Sequence, residues 1–202
     1  MLTAWPASIP AYTGFRQYKV LLYALFLGIG DGAVGEINTH IIGFPLFMDT
    51  IGTLISTAAF GFWPGIVSAV TTHSFTELLR GLTGADFTLP WIICSSASVI
   101  TLAVLIRYKL FENFFHAVLA TILITLVNSI TGAFVAIFFF SGITLHPVDF
   151  ITTAFLSVGH SFFTSAFWAR IPINMIDKGI AVFITFGLFY YLRIKRREKE
   201  EF

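Results

Sequence analysis

Asp49, Glu77, Asp177 and Lys178 each interrupt a run of apolar residues. An ionisable side chain in such a run is costly unless it faces a protein interior or a wet cavity, so each marks a place where polar chemistry is wanted. The chemistry open to this set is ion pairing and hydrogen bonding to a polar ligand. Asp177 and Lys178 are adjacent, and adjacent helical residues do not face each other, so Lys178 needs a partner elsewhere. Asp49 is the candidate, although an acid just after Pro45 would equally suit capping of the helix that starts there. His73 and Glu77 are four residues apart and share a helix face, and His160 could join them. Such a set is a weak metal signature, and no metal site is expected. Asp49, Glu77, Asn174 and Asp177 are therefore the leading expected contacts of a small molecule, with His73, Trp91, His160 and Arg170 as weaker ones. Trp91 and Trp168 could also stack on a flat ligand.

These residues are embedded in a chain of 202 residues that is 56% hydrophobic and only 11% charged, with a mean hydropathy of +0.85. Soluble domains carry about 25% charged residues, so lipid must be the solvent here. The fold class expected is an all-α integral membrane bundle of about six transmembrane helices, each needing roughly 20 mostly apolar residues. Residues 1–202 form a single membrane domain, of which 193–202 is a charged cytoplasmic tail. The lone Cys94 excludes an intrachain disulfide. Arg16 and Lys19 lead into a long glycine-rich apolar stretch without a clear cleavage site, so a removed signal peptide is not expected.

Hydropathy places spans at Tyr18–Asn38, Leu46–Phe62, Gly65–Leu82, Leu89–Arg107, Phe114–Ser141 and Ile171–Leu192, with Phe150–Trp168 ambiguous. Pro45, Pro64, Pro90, Pro147 and Pro172 lie at or near segment starts, where proline is tolerated, and Phe62-Trp63-Pro64-Gly65 reads as a tight turn. Basic residues favour the cytoplasmic side. Six crossings with both ends inside put Arg16, Lys19, Arg107, Lys109, Arg193, Lys195, Arg196, Arg197 and Lys199 there, nine of the 12 basic residues. Seven crossings would move Arg16, Lys19, Arg107 and Lys109 outside. Phe150–Trp168 must then be a partly buried helix or an extension of the last span.

Counting along these helices sends most polar residues to the outer half. Asp31, Glu36, Asp49, Glu77, Asp86, Asp149 and Asp177 lie there, seven of the 11 acids, against Arg80, Arg170 and Lys178. A polar pocket opening outward follows, and its acid excess favours a neutral polar or cationic ligand over a polyanion, although Arg80, Arg170 or Lys178 could turn inward and bind a carboxylate. In the first span Ala24, Gly28 and Gly32 recur every four residues. Such a small-residue face lets helix backbones approach closely, either within the bundle or with a partner helix.

Motifs for chemistry are missing. There is no phosphate-binding loop, no nucleophile elbow and no zinc-protease motif, so no catalytic residues and no cofactor are expected, and the chain cannot hydrolyse ATP itself. Nor is the inverted repeat of many secondary transporters visible. An intramembrane enzyme stays open only as a minor reading.

Three stretches resemble the substrate-binding S components of energy-coupling factor (ECF) transporters. One is Phe44-Pro45-Leu46-Phe47-Met48-Asp49-Thr50-Ile51-Gly52-Thr53 running into Gly61-Phe62-Trp63-Pro64-Gly65. Another is Val127-Asn128-Ser129. The third is Arg170-Ile171-Pro172-Ile173-Asn174-Met175-Ile176-Asp177-Lys178-Gly179-Ile180. The resemblance implies a multi-pass cell-membrane protein that captures a vitamin or related micronutrient from outside. It would then dock on a transmembrane coupling protein carrying two ATPase subunits. It also implies a docking face on the first helix, where Ala24, Gly28 and Gly32 would fall, with glycine replacing the second alanine of the family pattern. Nickel and cobalt members start with Met-His, whereas this chain starts Met-Leu-Thr-Ala, which argues against those metals. A small-molecule substrate, the coupling subunits and lipid are the expected partners, and nucleic acid is not. A membrane sensor or scaffold that binds a ligand without transporting it is the alternative.

Overall fold

The computed structural model describes residues 17–83 and 87–200. Arg16, Asp86 and the side chains of the basic tail after Leu192 lie outside the described residues. Within them the chain is helical, with α1 (Gln17–Ile37), α2 (Ile51–Phe60), α3 (Phe62–Thr83), α4 (Ile92–Arg107), α5 (Phe114–Phe140), α6 (Asp149–Ser157) and α7 (Phe162–Glu200). A π-helical turn, Asn38–Ile42, prolongs α1, and a 3-10 turn, Leu89–Trp91, leads into α4.

Among the described residues, four stretches are long and apolar enough to cross a membrane: Gln17–Ile42, Leu89–Arg107, Phe114–Phe140 and Phe162–Leu192. Their outward faces carry Phe26, Ile100, Phe115, Phe138 and Ile184, side chains that suit lipid. The expected second and third spans look different. α3 has 22 residues, but Thr71, Thr72, His73, Thr76, Glu77 and Arg80 dilute its hydropathy. The expected Leu46–Phe62 helix starts only at Ile51. With 10 residues, α2 rises about 15 Å, half of a hydrocarbon core of about 30 Å.

The other half of that segment, Gly43–Thr50, has no regular structure. Irregular backbone in a membrane protein needs partners for its N–H and C=O groups, and buried polar side chains supply them. Asn38 donates to the carbonyls of Phe44 and Leu46. Asp177 Oδ1 accepts from the Met48 N–H at 2.7 Å. Asp31 caps α2 across the bundle, accepting from Gly52 N–H at 2.6 Å and from Thr53 N–H at 2.8 Å. Asp49, expected as a possible cap, does not fill that role.

The tight turn between α2 and α3 falls at Gly61, whose φ of 107° suits glycine. Phe62-Trp63-Pro64-Gly65 instead forms the first turn of α3. The ambiguous Phe150–Trp168 stretch divides. Its first part is α6, and its second part, from Phe162, opens α7 after a break at Val158–Ser161. Pro172 does not start the last helix but sits inside it, removing one N–H from the ladder.

α1 packs on α3, α5 on α7, and α4 on α5. The main apolar core, with Leu54, Leu102, Phe111, Ile124 and Val182, fills one end of the bundle. The other end, where α1, α3 and α5 finish and α2, α4 and α7 begin, is polar inside.

Candidate functional site

At that polar end lies a cavity of about 120 Å³, many times the roughly 10–15 Å³ that one water needs. α1 contributes Glu36, α3 His73 and Arg80, α4 Cys94 and Ser95, α5 Asn128 and Gly132, and α7 Arg170, Asn174 and Lys178. The irregular segment before α2 adds Phe47 and Asp49, the turn before α4 adds Trp91, and the α5–α6 loop adds Thr144 and His146.

Most charges in and around the cavity are already matched. Lys178 Nζ lies 2.7 Å from Asp177 Oδ2 and 3.3 Å from Asp49 Oδ1, and it donates to Thr50 Oγ1 at 2.6 Å. The expected Asp49–Lys178 pair is present. The adjacent Asp177 also reaches Lys178, against the expectation that neighbouring helical residues do not meet. Glu36 pairs with Arg80 at 2.8 Å and with His40 at 3.3 Å. Asp149 accepts from the Thr144 N–H at 2.6 Å. Most of the acids expected in the outer half are therefore engaged by backbone and cations, and of them Glu36 and Asp49 also line the cavity.

Neutral groups complete the wall. His73 Nε2 lies 2.7 Å from Ser95 Oγ. Asn128 donates to Ser98 Oγ at 2.7 Å, and Asn174 donates to Ser129 Oγ at 3.0 Å. The His146 ring stacks on Phe47 at 4.7 Å. Burial lowers the His146 pKa to about 4, with Asp49 opposing and Arg170 reinforcing the shift, so the ring is neutral near pH 7. Its Nδ1 accepts the Val148 N–H at 3.2 Å, which leaves the proton on Nε2, a buried atom without a partner.

Of the residues singled out in the sequence, Asp49, His73, Trp91, Arg170 and Asn174 line the cavity. Glu77, Asp177 and His160 do not. Glu77 accepts the Thr88 and Leu89 N–H groups and the Thr88 hydroxyl, closing the turn before α4. Asp177 lies behind Lys178. His160 is exposed and meets the edge of Phe155. Trp91 stacks on Phe140 at 5.4 Å. Ala24, Gly28 and Gly32, expected as a docking face for a partner helix, are buried, the two glycines against α3: a Cβ on Gly28 would lie 2.5 Å from Ser68 O, and one on Gly32 would lie 2.9 Å from Thr72 O. No group of three or more His, Cys, Asp and Glu side chains that could hold a metal ion occurs among the described residues. Arg80 is foreseen in the sequence only as a cation that could turn inward, and His146, Glu36 and Gly132 are not among the expected contacts. His146 was detectable only as a polar residue in the Leu145-His146-Pro147 loop.

The family described as ECF transporter, substrate-specific component, matches residues 19–189. The chain belongs to that family. The match reaches all seven described helices, so this S component is a membrane protein and a substrate-binding part of a transporter, as the resemblance implied. No curated relative and no solved structure matches it. The cavity lies well inside the matched region of the S component.

Proposed function

We propose that this S component captures a vitamin or related micronutrient from the outer face of the cell membrane. It delivers the micronutrient by docking on a separate transmembrane coupling protein that carries two ATPases. The observation that carries this reading is the buried polar cavity at one end of the bundle. Arg107 ends α4 and Lys109 follows it at the opposite end, where the basic-residue rule puts the cytoplasm. In this reading the chain crosses six times with both ends inside, the second crossing being α2 plus the irregular segment before it. The docking surface excludes Ala24, Gly28 and Gly32, because all three are buried within the bundle.

The test is ATP-dependent uptake. Proteoliposomes holding the S component, a coupling protein and both ATPases are expected to accumulate the compound that mass spectrometry finds retained on the purified S component. Accumulation without the ATPases, or retention with no uptake in the full assembly, would count against an importer and favour a sensor.

Orientation has its own test. In a Cys94→Ser background, Leu145→Cys, in the loop at the cavity, is expected to react with a membrane-impermeant maleimide from outside intact cells. Lys109→Cys is expected to react only after the cells are opened. The reverse pattern inverts the topology.

Asp49 and Asp177 separate binding from scaffolding. Asp49→Asn keeps the shape of the cavity wall and removes a negative charge, so it is expected to shift the affinity for the retained compound at least tenfold in calorimetry, about 1.4 kcal/mol, tighter for an anion and weaker for a cation, with little change in melting temperature. Asp177→Asn is expected to lower the melting temperature instead, by weakening the tether on Met48 and the pair with Lys178. Unchanged affinity in folded Asp49→Asn would remove Asp49 from the site.

A further inference from the structure

One cation of the cavity wall stands unmatched. Arg170 is 1% exposed, and no carboxylate among the described residues lies within 4 Å of it. Its Nη1 donates to the Ala166 carbonyl at 3.1 Å. Its Nε and Nη2 are buried with no acceptor. These two atoms form the side-on edge of the guanidinium, the parallel pair of N–H donors that fits the two oxygens of a carboxylate. A buried donor with no acceptor costs about 1–3 kcal/mol, and this edge leaves two donors in that state.

The surroundings hold the group in place. The Trp91 ring lies 5.8 Å from the guanidinium carbon. Gly132 on α5 leaves space for the arginine stem: a Cβ there would meet Cδ at 3.1 Å and Nε at 3.2 Å. Asp149, the acid whose field reaches Arg170, is engaged by Thr144. His146 Nε2–H is a second buried donor without an acceptor in the same wall. With Lys178 held by Asp49 and Asp177, and Arg80 paired with Glu36, Arg170 is the cavity cation that no carboxylate among the described residues contacts, and the wall has two sets of idle donors.

We propose that the substrate is a small organic monoanion whose carboxylate binds side-on to Arg170 and takes a further hydrogen bond from His146. Its flat or apolar part lies against the Trp91 and Phe47 side of the cavity. A dianion fits worse, because the second charge would meet no free cation and would face Glu36 and Asp49. This assignment rests on the importer reading and names the substrate class of that site.

Thermal unfolding of the full-length protein in detergent tests it, using benzoate and nicotinate, their carboxamides benzamide and nicotinamide, and inorganic phosphate as probes. At least one acid is expected to raise the melting temperature at a concentration at least tenfold below that needed by its amide. Arg170→Gln is expected to abolish that preference. Arg170→Lys, which keeps the charge but loses the side-on edge, is expected to lose most of it and guards against a glutamine variant that fails to fold. A panel in which no acid outperforms its amide overturns the assignment, as does an acid preference that persists in both folded variants. Stronger stabilisation by phosphate than by either acid overturns the monoanion. If ATP-dependent uptake of a neutral micronutrient is found, the importer reading stands and the carboxylate assignment fails.

Discussion

Gly28→Leu is expected to unfold the bundle at α1–α3, while Gly30→Leu, two residues away, is tolerated. A Cβ on Gly28 would lie 2.5 Å from the Ser68 carbonyl oxygen and 2.8 Å from Thr71 Cβ, whereas one on Gly30 would meet nothing within 4 Å. The obstacle is the α3 backbone, which cannot rotate away as a side chain could. Overpacking in a core costs about 1–3 kcal/mol even where side chains can adjust, and a leucine here requires the two helices to separate. The expected readout is loss of monodisperse protein in detergent, or a melting temperature far below that of Gly30→Leu. If Gly28→Leu melts like Gly30→Leu and loses only its association with a coupling protein, the small-residue face is a docking face after all.

The other large effect is expected at Asp31. Its carboxylate accepts the Gly52 N–H, the Thr53 N–H and the Thr53 hydroxyl, and it is 4% exposed. Asp31→Ala leaves all three donors without an acceptor and opens a void. At about 1–3 kcal/mol for each orphaned donor, the loss is several kcal/mol, a large share of a typical folding free energy of about 5–15 kcal/mol. Asp31→Asn keeps the volume but turns one acceptor into a donor facing an N–H, so an intermediate loss is expected. Thermal unfolding in detergent checks both. A melting temperature for Asp31→Ala equal to wild type would show that the start of α2 does not depend on this cap.

The polar end of the bundle is readable in the sequence because helix rise converts residue number into depth. The same counting puts Asp49 and Lys178 at one level and pairs them. The job of each acid is not readable that way. Leu46–Phe62 has a single charged residue and no internal proline and reads as one helix, so nothing in it shows that its first residues lack a ladder and need acceptors from elsewhere. Once Gly43–Thr50 is irregular, Asp31, Asn38 and Asp177 become scaffold, and the acid excess stops describing the ligand. Glu77 is hidden for a similar reason, since its partners are the amides of a turn. Arg170 can be named from the sequence as a cavity residue. Which of its nitrogens lack acceptors depends on the distance to every carboxylate around it, and that is a property of the fold alone.

Chain order gives the segment that leads into α2 a place in time. The Met48 amide and Lys178, the cation beside Asp49, find their partners 129 residues apart, so during synthesis neither contact can exist until α7 has been made. Asp31 and Asn38 precede α2 and can engage it at once. The wall of the cavity formed by Phe47 and Asp49 is therefore assembled in two stages. It is secured first from α1, and completed only when the last helix enters the membrane and carries Arg170, Asn174 and Lys178 into place with it.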